Sequence, residues 1–129
     1  MVASYNYAHF AELASKVYIE CALADSTIFK YGSRPDNCYV IISGSCKALI
    51  KYSYLKSGER KTKTKVLSEM GKRTLFGELS LLFVQKRTAT VVSTEPTVLL
   101  VIPSVTFRRC MKGAILQKIN VLIDFFKQI

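Results

Sequence analysis

The sequence predicts a mainly β, α+β domain: a small antiparallel β-roll or jelly-roll barrel with helices packed on it. Hydrophobic residues recur at helical spacing near the start and again near the end of the chain, and between them lie several short β-branched runs separated by turn residues. The chain has 129 residues, half of them hydrophobic, which suits one domain over residues 1–129 with a buried core.

The first predicted element is an amphipathic helix over about residues 7–23. Its apolar residues are offset by three and four positions, which places them on one helical face. They are Phe10, Leu13, Ala14, Val17, Tyr18 and Cys21.

The β-roll is predicted over residues 27–102. Residues 39–42 form a β-rich run, which Ser43 and Gly44 join to a second run where apolar residues alternate with Lys47 and Lys51. We interpret this pair as a β-hairpin. Residues 88–93 and 98–102, separated by Glu95 and Pro96, are interpreted as another antiparallel pair.

Helices are predicted over residues 104–129. Pro103 ends the last strand, Ser104 stands where a cap would begin a short helix through Met111, and Gly113 breaks it. A final helix begins at Ala114. Its apolar stripe is most simply packed core, and it comprises Ile115, Leu116, Ile119, Leu122, Ile123 and Phe126.

The positive charge is concentrated in residues 51–73. Of the net charge of +10, this segment contributes +6, from eight basic and two acidic residues. Its composition favours a long, solvated connection between strands, and the functional alternative is an electrostatic surface for an acidic partner, anionic lipid or nucleic acid. Tyr52 and Tyr54 are its only aromatic residues, so a stacking platform for single strands is weakly supported.

Several functional classes are disfavoured by composition. The four cysteines are irregularly spaced and His9 is the single histidine, so we expect reduced thiols, no metal, no cofactor, no catalytic set and hence no enzyme. No apolar stretch is long enough for a membrane helix, and the first residues lack a signal-peptide layout. We therefore expect a cytoplasmic protein.

The stretch FGELSLLFVQKRTATV, residues 76–91, combines charge with apolar residues. Glu78 to Phe83 can form one or two helical turns, whose first N–H groups attract an anion, and Gly77 lets a ligand approach the backbone. Arg87 could complete a pocket for one phosphate with its planar fork of donors. The Glu78 carboxylate only accepts hydrogen bonds, so it needs donor hydroxyls. A ligand with a phosphate and a nearby sugar hydroxyl, a compact nucleotide, satisfies both residues.

This stretch closely resembles the phosphate-binding cassette of cyclic nucleotide-binding domains, with the pattern F-G-E-[LI]-[AS]-L and then R-[AT]-A-[TS], placed here at residues 76–90. Its spacing matches the cassette of cyclic-nucleotide-dependent protein kinases without insertion. YGSRPDNCYVIISGS and VIPSVTFRRCMKG resemble two other segments of the family, the latter most like kinase regulatory domains. The early turn departs from the family pattern at Ser33 and Pro35, and the KRTL connection before Phe76 is longer than usual, which could retune binding.

The resemblance implies the ligand, cGMP or cAMP, and the residues that bind it. Glu78 would accept a hydrogen bond from the ribose 2′-hydroxyl and Arg87 would pair with the cyclic phosphate. Thr88 would give its hydroxyl to a guanine in the syn form, which favours cGMP. Backbone N–H groups near Leu79, Ser80 and Ala89 would complete the anion site beside Gly77.

The predicted function is a sensor whose C-terminal helix closes over the base and relays binding to a kinase, channel or exchange factor. Leu122, Ile123 and Phe126 are base-capping candidates on spacing alone. The alternative is a degenerate domain in which Glu78 and Arg87 pair with each other, no nucleotide binds, and the basic segment holds a protein or membrane. Nucleic acid is not expected as a partner, because no helix-turn-helix pattern follows.

Overall fold

The computed structural model describes residue 11 and residues 14–110. This part of the chain is mainly β, as the sequence predicts, and its strands range from 2 to 12 residues. In chain order the elements are β1 (Tyr18–Ala22), β2 (Thr27–Phe29), β3 (Asn37–Ser43), β4 (Cys46–Lys56), β5 (Glu59–Met70), β6 (Leu75–Phe76), α1 (Glu78–Leu82), β7 (Thr90–Ser93), β8 (Thr97–Pro103) and α2 (Ser104–Cys110).

The strands form two four-stranded antiparallel sheets, in the orders β1-β8-β3-β6 and β2-β7-β4-β5. One core cluster joins the two sheets and includes Ile41, Ala48, Val91 and Leu99. The other face of the first sheet packs against α1 and α2, which contribute Leu81 and Phe107 to a second core cluster. Because β3 and β8 are covered on both faces, their sequences are nearly continuous in apolar residues.

Both predicted hairpins are wrong, although the strands themselves are present. β3 and β4 lie in different sheets, and so do β7 and β8, so each short connection is a corner between sheets. The two corners meet: the Thr97 hydroxyl donates to the Ser45 carbonyl oxygen at 3.1 Å and accepts from the Ser45 N–H at 3.2 Å. Gly44 turns the chain here with a φ of 93°, and an added Cβ would lie 2.5 Å from Thr97 Oγ1.

The predicted N-terminal helix extends too far. Residues 14–16 are helical, but Tyr18–Ala22 form β1, which pairs with β8 from Tyr18↔Val101 to Ala22↔Thr97. The apolar spacing fitted a helix up to Cys21. An adjacent strand that offers five paired positions favours the extended conformation, to which Tyr18 and Ile19 are also suited.

The basic segment is a hairpin and not a loop. β4 and β5 pair in one register from Lys56↔Glu59 to Leu49↔Val66, and the pairing shifts by a bulge before Ala48↔Ser68. Ser57 and Gly58 form the two-residue turn, with φ values of 54° and 78°. β4 pairs with β7 only over its first four residues, Cys46 to Leu49. The rest of the hairpin, residues 50–65, extends beyond β7, and we call it the β4–β5 arm.

The first of the two predicted C-terminal helices begins at the expected residue. β8 ends at Pro103, and the Ser104 N–H that follows donates to the Asp36 carbonyl oxygen at 2.9 Å, which ties α2 to the turn before β3. The predicted final helix lies outside the described residues. Within the described residues, we find no helix with the length and apolar character that crossing a membrane requires.

Candidate ligand-binding site

Four of the predicted binding residues, Gly77 to Ser80, lie where β6 ends and α1 begins, and the other three, Arg87 to Ala89, lie in the loop before β7. Gly77 precedes the helix in the left-handed conformation, with φ 83° and ψ 0°, and no side chain among the described residues caps the helix start. Glu78 is the first residue of α1 and is partly buried, while Ser80 is buried and Leu79 is exposed. The first turn of α1 therefore carries an acidic side chain beside backbone N–H groups that no side chain caps.

Arg87 is buried beneath this turn, with only 3% of its surface exposed. Its Nη1 donates to the Gly77 carbonyl oxygen at 2.7 Å, and its Nη2 donates to the Asn37 carbonyl oxygen. Its guanidinium carbon also lies 4.0 Å from the centre of the Phe29 ring, a cation–π contact. Three separate segments of the chain thus hold the guanidinium in one orientation.

This guanidinium is not fully satisfied. Its Nε is buried and has no hydrogen-bond partner among the described residues. Burial lowers the pKa of Arg87, and nearby Tyr39 gives the largest opposing effect, with Glu78 contributing the smallest. A buried cation with an unused donor is costly unless an anion or water reaches it, so the pocket suits a negatively charged ligand.

Gly77 is required for this arrangement. A Cβ at this position would lie 2.9 Å from Arg87 Nη1 and 3.3 Å from the edge of the Phe29 ring. Its positive φ also disfavours any residue with a side chain. The missing side chain of Gly77 therefore makes room for the Arg87 guanidinium, and we expect it to let a ligand approach the backbone as well.

Aromatic packing fixes the floor of the site. Phe29, Tyr39 and Phe76 pack together with ring centroids 5.3 to 6.1 Å apart. They belong to β2, β3 and β6, so this cluster spans the two sheets. Since Phe29 also lies against Arg87, the position of the guanidinium depends on the packing between the sheets.

The loop that carries Arg87 is tied to the turn before β3. The Arg87 N–H donates to the Ser33 carbonyl oxygen at 2.9 Å, and the Gly32 N–H donates to the Arg87 carbonyl oxygen at 2.8 Å. This turn departs from the family pattern, yet it fixes the arginine backbone on both sides. Phe29, Ser33 and Asn37 were not predicted as site residues, because backbone carbonyls and a supporting ring leave no motif in the sequence.

The structure thus brings Gly77, Glu78, Ser80 and Arg87 together around the start of α1. Arg87 bonds to backbone carbonyl oxygens and not to the Glu78 carboxylate, which argues against the alternative of a mutual ion pair. Thr88 is exposed and Ala89 packs against the core between the sheets. The capping candidates Leu122, Ile123 and Phe126 lie outside the described residues.

Comparison with known proteins identifies the family of this chain. The family model described as "Cyclic nucleotide-binding domain" matches residues 21–114, which include every element of the site. The chain belongs to this family. The domain is also 29% identical over 102 residues to a cAMP-dependent protein kinase regulatory subunit of the yeast Yarrowia lipolytica, an alignment that covers 79% of this chain and 24% of the relative. It therefore spans about a quarter of that relative's length.

Solved structures share the fold. The cAMP-bound regulatory domain of Toxoplasma gondii PKA superimposes with a TM-score of 0.65 at 24% identity, over 82% of this chain and 38% of that one. A putative cyclic nucleotide-binding protein from Geobacter metallireducens superimposes with a TM-score of 0.66 at 18% identity, over 95% and 84% of the two chains. The antiparallel β-roll predicted from the sequence is thereby confirmed.

Proposed function

We propose that the domain is a cyclic nucleotide sensor that binds cGMP or cAMP through the cassette at residues 76–90. The observation that carries the proposal is the buried guanidinium of Arg87, which has an unused Nε donor and lies against Gly77 at the start of α1. A ring-closed phosphate placed there would supply the missing acceptor and the compensating charge. The cAMP-bound regulatory domain of Toxoplasma gondii PKA, which shares the fold, supports the choice of ligand.

Each residue of the cassette has a separate role in this proposal. Arg87 pairs with the cyclic phosphate, and backbone N–H groups near Leu79, Ser80 and Ala89 donate to its oxygens. Glu78 accepts the hydrogen bond of the ribose 2′-hydroxyl. Glu78 directly follows Gly77, whose carbonyl oxygen accepts from Arg87, so we expect one ligand with a sugar and phosphate joined in a ring to reach both side chains.

The base is contacted by Thr88 and by the C-terminal segment. The Thr88 side chain is exposed, so its hydroxyl is free to reach a guanine in the syn form, which favours cGMP. Leu122, Ile123 and Phe126 remain our candidates for closing over the base. Ligand shifts such a closure only by binding the closed state more tightly than the open one. The effector, whether kinase, channel or exchange factor, would receive this change.

Calorimetric titration of both nucleotides tests the proposal. Arg87→Ala should weaken binding of cAMP and cGMP at least tenfold, because a charge-assisted hydrogen bond contributes about 1.5 to 3 kcal/mol. Arg60→Ala, at the tip of the arm, removes the same charge from an exposed position and should leave both affinities unchanged. Thr88→Ala should weaken cGMP about two- to tenfold more than cAMP, by the loss of one neutral hydrogen bond.

Two results would reject the proposal. Equal binding by the wild type and a folded Arg87→Ala variant would remove Arg87 from the site. Absence of heat with the wild type at millimolar nucleotide would favour the degenerate alternative, in which the domain binds a protein or membrane through its basic arm. The observation that supports this alternative is the solvent exposure of the arm.

A further inference from the structure

The β4–β5 arm carries a mixed cationic and aromatic surface on one face. In its ladder Tyr52 is opposite Lys63, Tyr54 is opposite Lys61 and Ile50 is opposite Lys65. Directly opposed residues of an antiparallel pair point to the same side of the sheet. Lys61, Lys63 and Lys65 therefore share a face with both tyrosines, and we call these five residues the lysine–tyrosine face. The oppositely charged pair Lys56 and Glu59 lies on the same side at the tip of the arm.

The opposite face of the arm has a different composition. It carries two cations, three small hydroxyl residues and one exposed aliphatic residue: Lys51, Arg60, Ser53, Thr62, Thr64 and Leu55. The aromatic side chains of the arm are thus confined to one side. Register decides this segregation, because a shift of one residue would move every side chain to the other face.

The lysine–tyrosine face is open to solvent. Tyr52 and Tyr54 are 41% and 39% exposed, their ring centroids lie 6.2 Å apart, and all three lysines are exposed. β5 is the last strand in its sheet, and β7 covers β4 only as far as Leu49. Within the described part of the chain the arm therefore projects as a two-stranded ribbon.

We propose that the lysine–tyrosine face binds single-stranded nucleic acid. Side chains on one face of a strand repeat about every 6.6 to 6.8 Å, so the Tyr52–Lys63 and Tyr54–Lys61 pairs are two copies of one unit. Each unit offers a ring on which a base can stack and an ammonium group for the adjoining phosphate. Lys65 extends the cationic row by one further contact.

Other polyanions fit this surface less well. A flat anionic membrane would need cations beside exposed aliphatic anchors, whereas the aliphatic residue on the lysine–tyrosine face, Ile50, is only partly exposed and lies at the base of the arm. In a duplex the bases are stacked on one another, so the tyrosines could not take part. An acidic peptide would use the lysines and leave the exposed tyrosines without a partner.

This proposal departs from the expectation that nucleic acid is not a partner. That expectation had two grounds: no helix-turn-helix pattern follows the domain, and two tyrosines alone give only weak support for base stacking. The pairing of each tyrosine with a lysine on an exposed ribbon is information that the sequence did not contain, because it depends on the register of β4 against β5. The proposal does not depend on nucleotide binding at the cassette.

Fluorescence anisotropy with a labelled 12-nucleotide oligothymidylate, titrated with the full chain at several salt concentrations, tests it. The double variant Lys61→Ala/Lys63→Ala should weaken binding at least tenfold at low salt and reduce the slope of log K against log salt by about 0.7 per lost contact. The double variant Lys51→Ala/Arg60→Ala removes the same charge from the opposite face and should change affinity by less than threefold. Tyr52→Ser/Tyr54→Ser should weaken binding at least tenfold, whereas Tyr52→Phe/Tyr54→Phe should keep it.

Three results would overturn the proposal. Equal losses in the two charge-matched double variants would show attraction by net charge alone. Equal competition by a 12-base-pair duplex would exclude stacking on unpaired bases. Binding to vesicles with 30% phosphatidylserine, without binding to the oligonucleotide, would assign the arm to membranes.

Discussion

Gly77→Ala tests the central feature of the site, the packing of Arg87 against the turn before α1. Two effects should destabilise the variant. A residue with a side chain at φ 83° costs about 1 to 2 kcal/mol in the left-handed conformation. The new Cβ would also lie 2.9 Å from Arg87 Nη1, and displacing that atom loses a charge-assisted hydrogen bond of about 1.5 to 3 kcal/mol.

Gly58→Ala is the matched control. Gly58 has a φ of 78°, nearly that of Gly77, but a Cβ there would meet nothing within 4 Å. It should therefore show the backbone cost alone. The difference in stability between the two variants isolates the contact with Arg87. For a chain of this size, each kcal/mol of stability lowers the melting temperature by about 3 to 5 °C. Gly77→Ala should therefore melt roughly 5 to 15 °C below Gly58→Ala.

Thermal unfolding followed by circular dichroism measures this difference, and calorimetry with cAMP provides a second test. Gly77→Ala should also bind cAMP at least tenfold more weakly, because the guanidinium is moved, whereas Gly58→Ala should bind like the wild type. Melting temperatures within about 2 °C of each other would refute the steric reasoning. Equal cAMP affinities would show that the position of the guanidinium does not govern binding.

Three further predictions concern the framework. Gly44→Ala should lower the free energy of unfolding, measured in urea, by more than about 3 kcal/mol, because its Cβ would lie 2.5 Å from Thr97 Oγ1. Gly32 also has a positive φ but lies in open space, so Gly32→Ala should lower it by only about 1 to 2 kcal/mol. Similar losses in the two variants would contradict the steric argument. Ser93→Ala should lower the free energy of unfolding by about 1 to 3 kcal/mol, since its buried hydroxyl bonds to two backbone groups, and an unchanged urea midpoint would show those bonds to be neutral. Burial raises the pKa of the Cys46 thiol above its ordinary value of 9.0, so at high pH the native state keeps a proton that the unfolded state releases. The free energy of unfolding should therefore fall as pH rises past 9.0. Cys46→Ala should reduce this dependence on pH in urea unfolding between about pH 8 and 10.

The elements that sequence predicted well are those with local signals. The helical turns after Gly77 are observed as α1, and the strand ends at Pro103 as expected. The alternation from Cys46 to Tyr52 gave a correct strand in β4. These features depend on residues only a few positions apart, so spacing and turn chemistry suffice to predict them.

Strand pairing was predicted poorly. Short connections favoured hairpins between β3 and β4 and between β7 and β8, but the chain crosses from one sheet to the other at both places. The extension of the first helix through Cys21 failed for a related reason, since β8, far along the chain, provides the pairing for β1. Local patterns identify a strand and carry little information about its neighbour.

The cassette and its candidate residues can be identified from the amino-acid sequence alone, because FGELSLLFVQKRTATV resembles the phosphate-binding cassette of cyclic nucleotide-binding domains. How Arg87 is held depends on the tertiary fold, since its partners are a carbonyl 10 residues away, another carbonyl 50 residues away and the ring of Phe29. The tertiary fold also decided that the basic segment is a ribbon with its lysines and tyrosines on one side. Both depend on contacts between distant segments, which form only when the two sheets pack and β4 and β5 adopt one register.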